Sequence, residues 1–273
     1  MKKGFLYVAN QQKFIDEAII SAKSLRRFHA EPVGLVCTPS LWQKELENHF
    51  DEIVLVSELE NQLYLAKILG LHHTPFEHTI FLDGDTFITD TISELFDLLE
   101  IVDFATTIEA KRHTSKYKDL KYYNIFPEFN TGVIVFKKNA IMEKIFQDWL
   151  AYCLERKLKI DMPGLREAVL KNFQEVRFSI LPDCYNEHGF ASMMILHSKV
   201  KVIHERLGYK RGVYTPHFMD FDKMDRFAKK INKIEYKRLY IPKVGIISYR
   251  WSPQNVLMKI KKKLGYKRVS KNK

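Results

Sequence analysis

The sequence predicts an α/β fold in which helices cover both faces of a largely parallel sheet. Two observations carry this. Short, continuous apolar runs alternate with stretches whose apolar residues recur at helical spacing, and the connections between them are short through the first half of the chain. Strands that are apolar at every position, rather than at every second one, are buried on both faces, as a helix-flanked parallel sheet requires. A chain of 273 residues, 46% hydrophobic and 28% charged, can close one large domain around a substantial core.

Phe5-Leu6-Tyr7-Val8-Ala9 reads as the first buried strand. Ile15, Ala18, Ile19, Ala22 and Leu25 then predict a helix over 14–28. A second strand covers 33–37, and Pro39-Ser40 opens a short helix over 41–48. A third strand covers 53–56, followed by a helix from 59 to 69. The fourth strand, 78–82, ends at Asp83-Gly84-Asp85. Beyond it the order is less regular, with strands at 104–108, 132–136, 176–181 and 199–203 and helices over 140–154 and 165–171. No repeat or low-complexity linker divides the chain, so the expected organisation is one domain over 1–245 and a basic tail over 246–273.

Cys37, Cys153 and Cys184 are an odd number without paired spacing, which argues against a disulfide framework or zinc cluster and for a reducing compartment. The apolar run after Met1-Lys2-Lys3 is too short for a signal-peptide core. No segment approaches the roughly 18 continuous apolar residues of a spanning helix, so a cytoplasmic protein is expected. The formal charge is +11, but eight Lys and Arg fall in residues 256–273, which hold no Asp or Glu; without those eight it drops to +3. Basicity confined to an appendage argues against a nucleic-acid-binding face spread over the fold.

The chemistry concentrates at Thr79-Ile80-Phe81-Leu82-Asp83-Gly84-Asp85-Thr86. An apolar strand delivers two carboxylates to the carboxyl edge of the sheet, where open α/β sheets bind ligands. Residues i and i+2 of an extended chain share a face, and Gly84 lets the backbone turn so that both carboxylates approach one cation. Two hard oxygen ligands suit Mg²⁺ or Mn²⁺, which would neutralise a diphosphate leaving group. A solvated Asp-Gly turn is the alternative at this point.

Leu65-Ala66-Lys67-Ile68-Leu69, followed by Thr74-Pro75-Phe76-Glu77-His78 and the acidic strand, resembles the "K…sPFe.tlfLDaDt" signature of GT-A nucleotide-diphospho-sugar transferases, and more distantly the family-eight retaining enzymes. Four further segments follow in that family's order: Phe129–Phe136 is similar to "fNsGvivf", Asp161–Ala168 to "DQpaLreAl", Leu181–Asn186 to "LPp.yN" and Lys201–His204 to "kIiH". Together they span roughly residues 5 to 205.

The resemblance implies a GT-A-type, Rossmann-like mixed sheet flanked by helices, and a glycosyltransferase that takes a nucleoside-diphosphate sugar, by family habit a UDP-sugar. Asp83 and Asp85 would hold Mn²⁺ or Mg²⁺, and His204 would complete the metal sphere; its imidazole favours Mn²⁺. Lys67 would reach the donor diphosphate or the acidic pair. Tyr7, Val8 and Ala9 end the first strand, where such folds hold base and ribose largely through backbone groups; a core role is the alternative for Tyr7. Asn130, Thr131 and Gly132 would line the sugar pocket, with Gly132 allowing close backbone approach. Asp161 would contact donor-sugar hydroxyls or sit beside the reacting carbon, and a helix N-cap is its competing role. Met162 stands where the family carries glutamine, and the late His-x-x-Gly-x-x-Lys-Pro-Trp motif is not reproduced after His204, where Arg206 or Lys210 would have to supply a phosphate contact. Retention and inversion both stay open: inversion would make Asp161 the first candidate for the acceptor base, whereas retention would use front-face attack assisted by the leaving phosphate.

In the tail, Val256, Leu257, Ile260 and Leu264 fall on one helical face, lysines fill the rest and Trp251 precedes them. A basic amphipathic C-terminal helix of this kind suits the anionic inner face of a membrane, and hence a glycan or lipid-linked glycan acceptor. A sugar nucleotidyltransferase is the first competing reading; the expected Gly-rich loop after the first strand is replaced by Ala9-Asn10-Gln11-Gln12. The second is a catalytically silent protein binding membrane or nucleic acid through its tail, which intact Asp83, Asp85 and Asn130 disfavour.

Overall fold

The first half of the chain forms the parallel part of a seven-stranded sheet in the computed structural model, which describes residues 2–62, 65–109, 122, 125–190, 193–205, 220–234, 237–242 and 245–248. β1 (Lys3–Ala9) leads into α1 (Gln12–Leu25), β2 (Val33–Cys37), β3 (Glu52–Leu55), α2 (Ala66–His72) and β4 (His78–Leu82). β1 pairs in parallel with both β2 and β4, and β2 with β3. All five residues of β2 and of β4 are buried, as their unbroken apolar pattern requires.

The next elements are β5 (Thr86–Ile88), α3 (Glu94–Leu98), β6 (Phe104–Ile108), β7 (Phe129–Lys137), α4 (Ala140–Glu155), α5 (Met162–Lys171) and β8 (Phe178–Ile180). The sheet order is β3-β2-β1-β4-β7-β6-β8, and β7 runs antiparallel to both neighbours, so the sheet is mixed. This reversal places the start of β7, not its end, beside the carboxyl end of β4. A bulge opens there: Thr106 pairs with Ile134 but Thr107 with Asn130, and the Thr106 hydroxyl bridges the opening by donating to the carbonyls of Asn130 and Val133.

Each face of the sheet buries its own core. α1 and α3 cover Phe5, Tyr7, Leu35, Ile80 and Val135; α2, α4 and α5 cover Leu6, Phe81, Ile134 and Phe136 around the fully buried Trp149. Burying each fully covered Leu, Ile or Phe stabilises the fold by about 1.5–3 kcal/mol. A third, smaller core belongs to β9 (Met194–Leu196), β10 (Val202–His204), α6 (Phe221–Ile231), β11 (Arg238–Ile241) and β12 (Gly245–Ser248). β9, β11 and β12 form a three-stranded antiparallel sheet, while β10 pairs antiparallel with β5.

The helix expected over 41–48 is two 3₁₀ turns, Pro39–Leu41 and Lys44–Asn48. The one expected from 59 to 69 is also shorter. Asn61 takes a left-handed φ of 63°, and the Asn10 side-chain amide donates to the carbonyls of Leu59 and Gln62, so α2 begins only at Ala66. β12 begins at residue 245, where the tail was expected to start, while the amphipathic segment 251–273 lies outside the described residues. Among the described residues no helix is long and apolar enough to cross a membrane.

Candidate functional site

β4 delivers Asp83 to the carboxyl edge of the sheet, and the chain turns at once into β5. Thr86 closes this turn, donating both its N–H and its hydroxyl to the Asp83 carbonyl at 3.0 and 2.8 Å. The Thr86 hydroxyl also meets Ser21 of α1, whose hydroxyl meets the Tyr7 phenol, each at 2.8 Å. Tyr7 is fully buried and its phenol is pushed well above its ordinary value by that burial, so it stays neutral and anchors this chain of hydroxyls.

Pairing of β10 with β5 sets His204 opposite Thr86, one residue beyond Asp85. His204 Nε2 lies 3.3 Å from Asp85 Oδ1 and 3.7 Å from Asp83 Oδ2. One ligand atom from each of the three side chains falls within 4.8 Å of the others. Burial works against the His204 cation, but Asp85 and then Asp83 outweigh it and hold its pKa above the ordinary histidine value. Burial pushes the Asp83 carboxyl above its usual range, against the pull of Lys67 and His204. Two hard oxygens and one imidazole nitrogen on a half-buried surface are a donor set that fits Mn²⁺ or Mg²⁺.

Among the described residues Nδ1 of His204 has no hydrogen-bond partner, so the ring is oriented by its Nε2 contact with Asp85 and by packing around the buried Nδ1 edge. A Cβ built on Gly132 would stand 2.2 Å from His204 Cε1 and Nδ1. The close approach that Gly132 permits in the structure is that of the histidine ring. Gly84 lies inside the Asp83–Thr86 turn, as expected, and also has a packing role. Its φ is not left-handed, and it serves close packing on α1, where a Cβ would lie 3.3 Å from the Phe14 carbonyl oxygen.

Lys67 ties the acidic pair to the other side of the site. Its ammonium donates to Asp83 Oδ2 at 2.8 Å and to the carbonyl and hydroxyl of Thr131 at 3.2 and 3.1 Å, and it pairs with Asp161 Oδ2 at 3.2 Å. Burial disfavours this charge, yet Asp161 and Asp83 together raise the Lys67 pKa above its ordinary value. Asp161 occupies the N-cap position of α5, but its side chain caps nothing; Oδ2 accepts instead from the Thr131 hydroxyl at 2.9 Å.

A cleft of about 280 Å³ opens over these groups, lined by Val8, Lys67, Asp83, Gly84, Asp85, Asp161 and His204 among others. Of the residues at the end of β1, Val8 lines the cleft, while Tyr7 and Ala9 belong to the α1-side core. Asn130, Thr131 and Gly132 stand behind the lining, not in it. Asn130 is buried, donating to Glu109 Oε2 at 2.7 Å and accepting from the Gly132 N–H at 2.9 Å and from the Asn186 amide at 2.8 Å. Its side chain holds the start of β7 in place. Arg206 and Lys210 lie outside the described residues. The cleft also takes Asn10, Phe14, Glu17 and Lys159, which sequence reading passed over. Glu17 carried a signal, being a carboxylate beside Ala18 on the buried stripe of α1, 4% exposed.

No family model and no curated protein sequence matches the chain. Solved structures do. The galactosyltransferase LgtC in complex with donor and acceptor sugar analogues superposes with a TM-score of 0.55 at 12% identity, over 82% of this chain and 95% of that one. An active-site mutant of LgtC gives 0.56 at 12% identity, over 81% and 94%. The fold is that of the GT-A glycosyltransferases. The apo form of the glycosyltransferase GlyE from Streptococcus pneumoniae TIGR4 shares it, with a TM-score of 0.52 at 15% identity over 86% of this chain. This chain spans 65% of that GlyE chain and 46% of a second GlyE structure. Within the GT-A fold the cleft sits at the carboxyl edge of the parallel strands, where open sheets of this kind take their ligands.

Proposed function

We propose that the protein is a metal-dependent glycosyltransferase that moves a sugar from a nucleoside-diphosphate donor, a UDP-sugar by family resemblance, to a hydroxyl of a glycan or lipid-linked glycan. The observation that carries this reading is the convergence of Asp83, Asp85 and His204 at the carboxyl end of β4, inside a GT-A fold. These three side chains would hold Mn²⁺ or Mg²⁺, with the imidazole favouring Mn²⁺. Such an ion would supply positive charge for a diphosphate leaving group.

The chain's own groups do the rest. Lys67 fixes Asp83 and Asp161 relative to each other, so the metal ligand and the sugar-side carboxylate move as one unit. Thr131 donates to the same Asp161 oxygen, and the carboxylate lines the cleft where a donor sugar would lie. Asn130 contributes indirectly, by holding Gly132 where His204 needs it. The basic segment 251–273 places the protein at the inner, anionic face of a membrane, where a lipid-linked acceptor would be presented.

Calorimetric titration of UDP, GDP and CDP, with and without Mn²⁺, tests the reading on the wild type and on Asp85→Ala. One nucleotide should bind only with metal, and Asp85→Ala should weaken that binding at least about a hundredfold. Absence of metal-dependent binding to all three would refute the assignment.

A further inference from the structure

Two lysines line the cleft, and their surroundings differ. Lys67 is fully engaged by Asp83, Asp161 and Thr131. Lys159 is exposed, and among the described residues its ammonium has no partner. Its backbone is nonetheless fixed on both sides. Just past α4, Lys157 turns the chain with a left-handed φ of 50°. Leu158 then buries its side chain in the α4–α5 core and donates its N–H to the Cys153 carbonyl at 3.0 Å. Two residues beyond Lys159, the Trp149 indole N–H holds the Asp161 carbonyl at 2.7 Å. A free cation is thus mounted at the cleft between two anchored residues.

The charge of the cleft indicates what that cation serves. Asp83, Asp85, Asp161 and Glu17 line it against Lys67 and Lys159. Lys67 is neutralised within the protein, and a divalent ion would be offset by the acidic pair that holds it. A nucleoside diphosphate brings further negative charge that neither of these balances. We propose that Lys159 is a specificity-determining residue of this site, donating hydrogen bonds from its ammonium to the phosphate oxygens of the nucleoside diphosphate. The inference rests on the glycosyl-transfer reading above. A lysine is a point-charge phosphate binder whose flexible stem follows its ligand, which suits an exposed position on a fixed backbone.

The test compares Kd values in the presence of Mn²⁺ for the nucleoside diphosphate that the wild type selects among UDP, GDP and CDP, for its monophosphate and for its nucleoside. The proteins are the wild type, Lys159→Ala, Lys159→Arg and, as a control on the same loop outside the cleft, Lys157→Ala. Lys159→Ala should weaken the diphosphate about tenfold, the monophosphate less and the nucleoside not at all. Lys159→Arg should stay within about threefold of wild type, and Lys157→Ala should match it. An unchanged diphosphate Kd in Lys159→Ala, or an equal loss for diphosphate and nucleoside, overturns the role of Lys159 while leaving glycosyl transfer standing. If the wild type binds none of the three diphosphates with metal, both readings fall together.

Discussion

Gly132 and His204 make one decision between them: the histidine can face the acidic pair only because position 132 has no side chain. Gly132→Ala should displace the ring and weaken Mn²⁺ binding about tenfold, a typical cost of disturbing a ligand's support. In a His204→Ala background the same substitution should cost no further affinity, because the clash is gone. Metal titration of the two single variants and the double variant measures this directly, and additive losses would mean that Gly132 acts elsewhere. Much of the site could be read from residue types in order. Asp83, Asp85, Lys67, Asp161 and His204 meet around one cleft as the motif order suggested. Less legible were the reasons for the glycines, because a glycine's neighbour across the fold leaves no trace in its own sequence context. Lys159 escaped for a related reason, since a charged residue in a short turn gives no local sign of which cleft it faces, whereas Glu17 on the buried stripe of α1 could have been found.

At the scale of elements, the backbone of Glu187 bridges alongside β10, parallel to Ile203: its N–H reaches the Val202 carbonyl, and its own carbonyl receives the His204 N–H, each at 2.9 Å. Its carboxyl is pushed up to about 7 by burial, with Asp183 acting in the same direction and His188 and Arg238 opposing. Between the ordinary value of 4.5 and that raised value, the folded protein keeps a proton that the unfolded chain has released. Stability therefore falls as pH rises through this window, by on the order of 3 kcal/mol. Glu187→Gln removes the ionisation. Its Tm should exceed that of wild type by a few degrees at pH 8, and the gap should close at pH 5; a gap of equal size at both pH values would assign the effect to packing. The parallel strands β1 to β4 were evident from their unbroken apolar runs. β5, β9, β11 and β12 were not, because they are short and fall outside the strand–helix alternation that marks β1 to β4. The helix expected over 59–69 failed where two tertiary bonds from Asn10 captured carbonyls that a helix would have used.

For the whole molecule, the charge distribution divides the chain into a nearly neutral body and a strongly basic end. Deleting residues 251–273 should abolish sedimentation with vesicles containing anionic lipid while leaving metal-dependent nucleotide binding unchanged. Retained vesicle binding would show that another surface carries the attachment, and lost nucleotide binding would make the tail part of the site. The fold places its chemistry on the sheet edge that faces away from the last residues of β7, because the reversed direction of that strand brings Gly132 to the Asp83 N–H and Thr131 to Lys67 near its very start. Both ends of the long β6–β7 connection, Glu109 and Asn130, are thereby hydrogen-bonded to each other within the site itself. The connection is a clasp fastened at its base. Among the described residues between those two points, the Tyr122 and Phe126 carbonyls accept from the buried Arg166 guanidinium, so the clasp is tied to α5 as well as to the cleft.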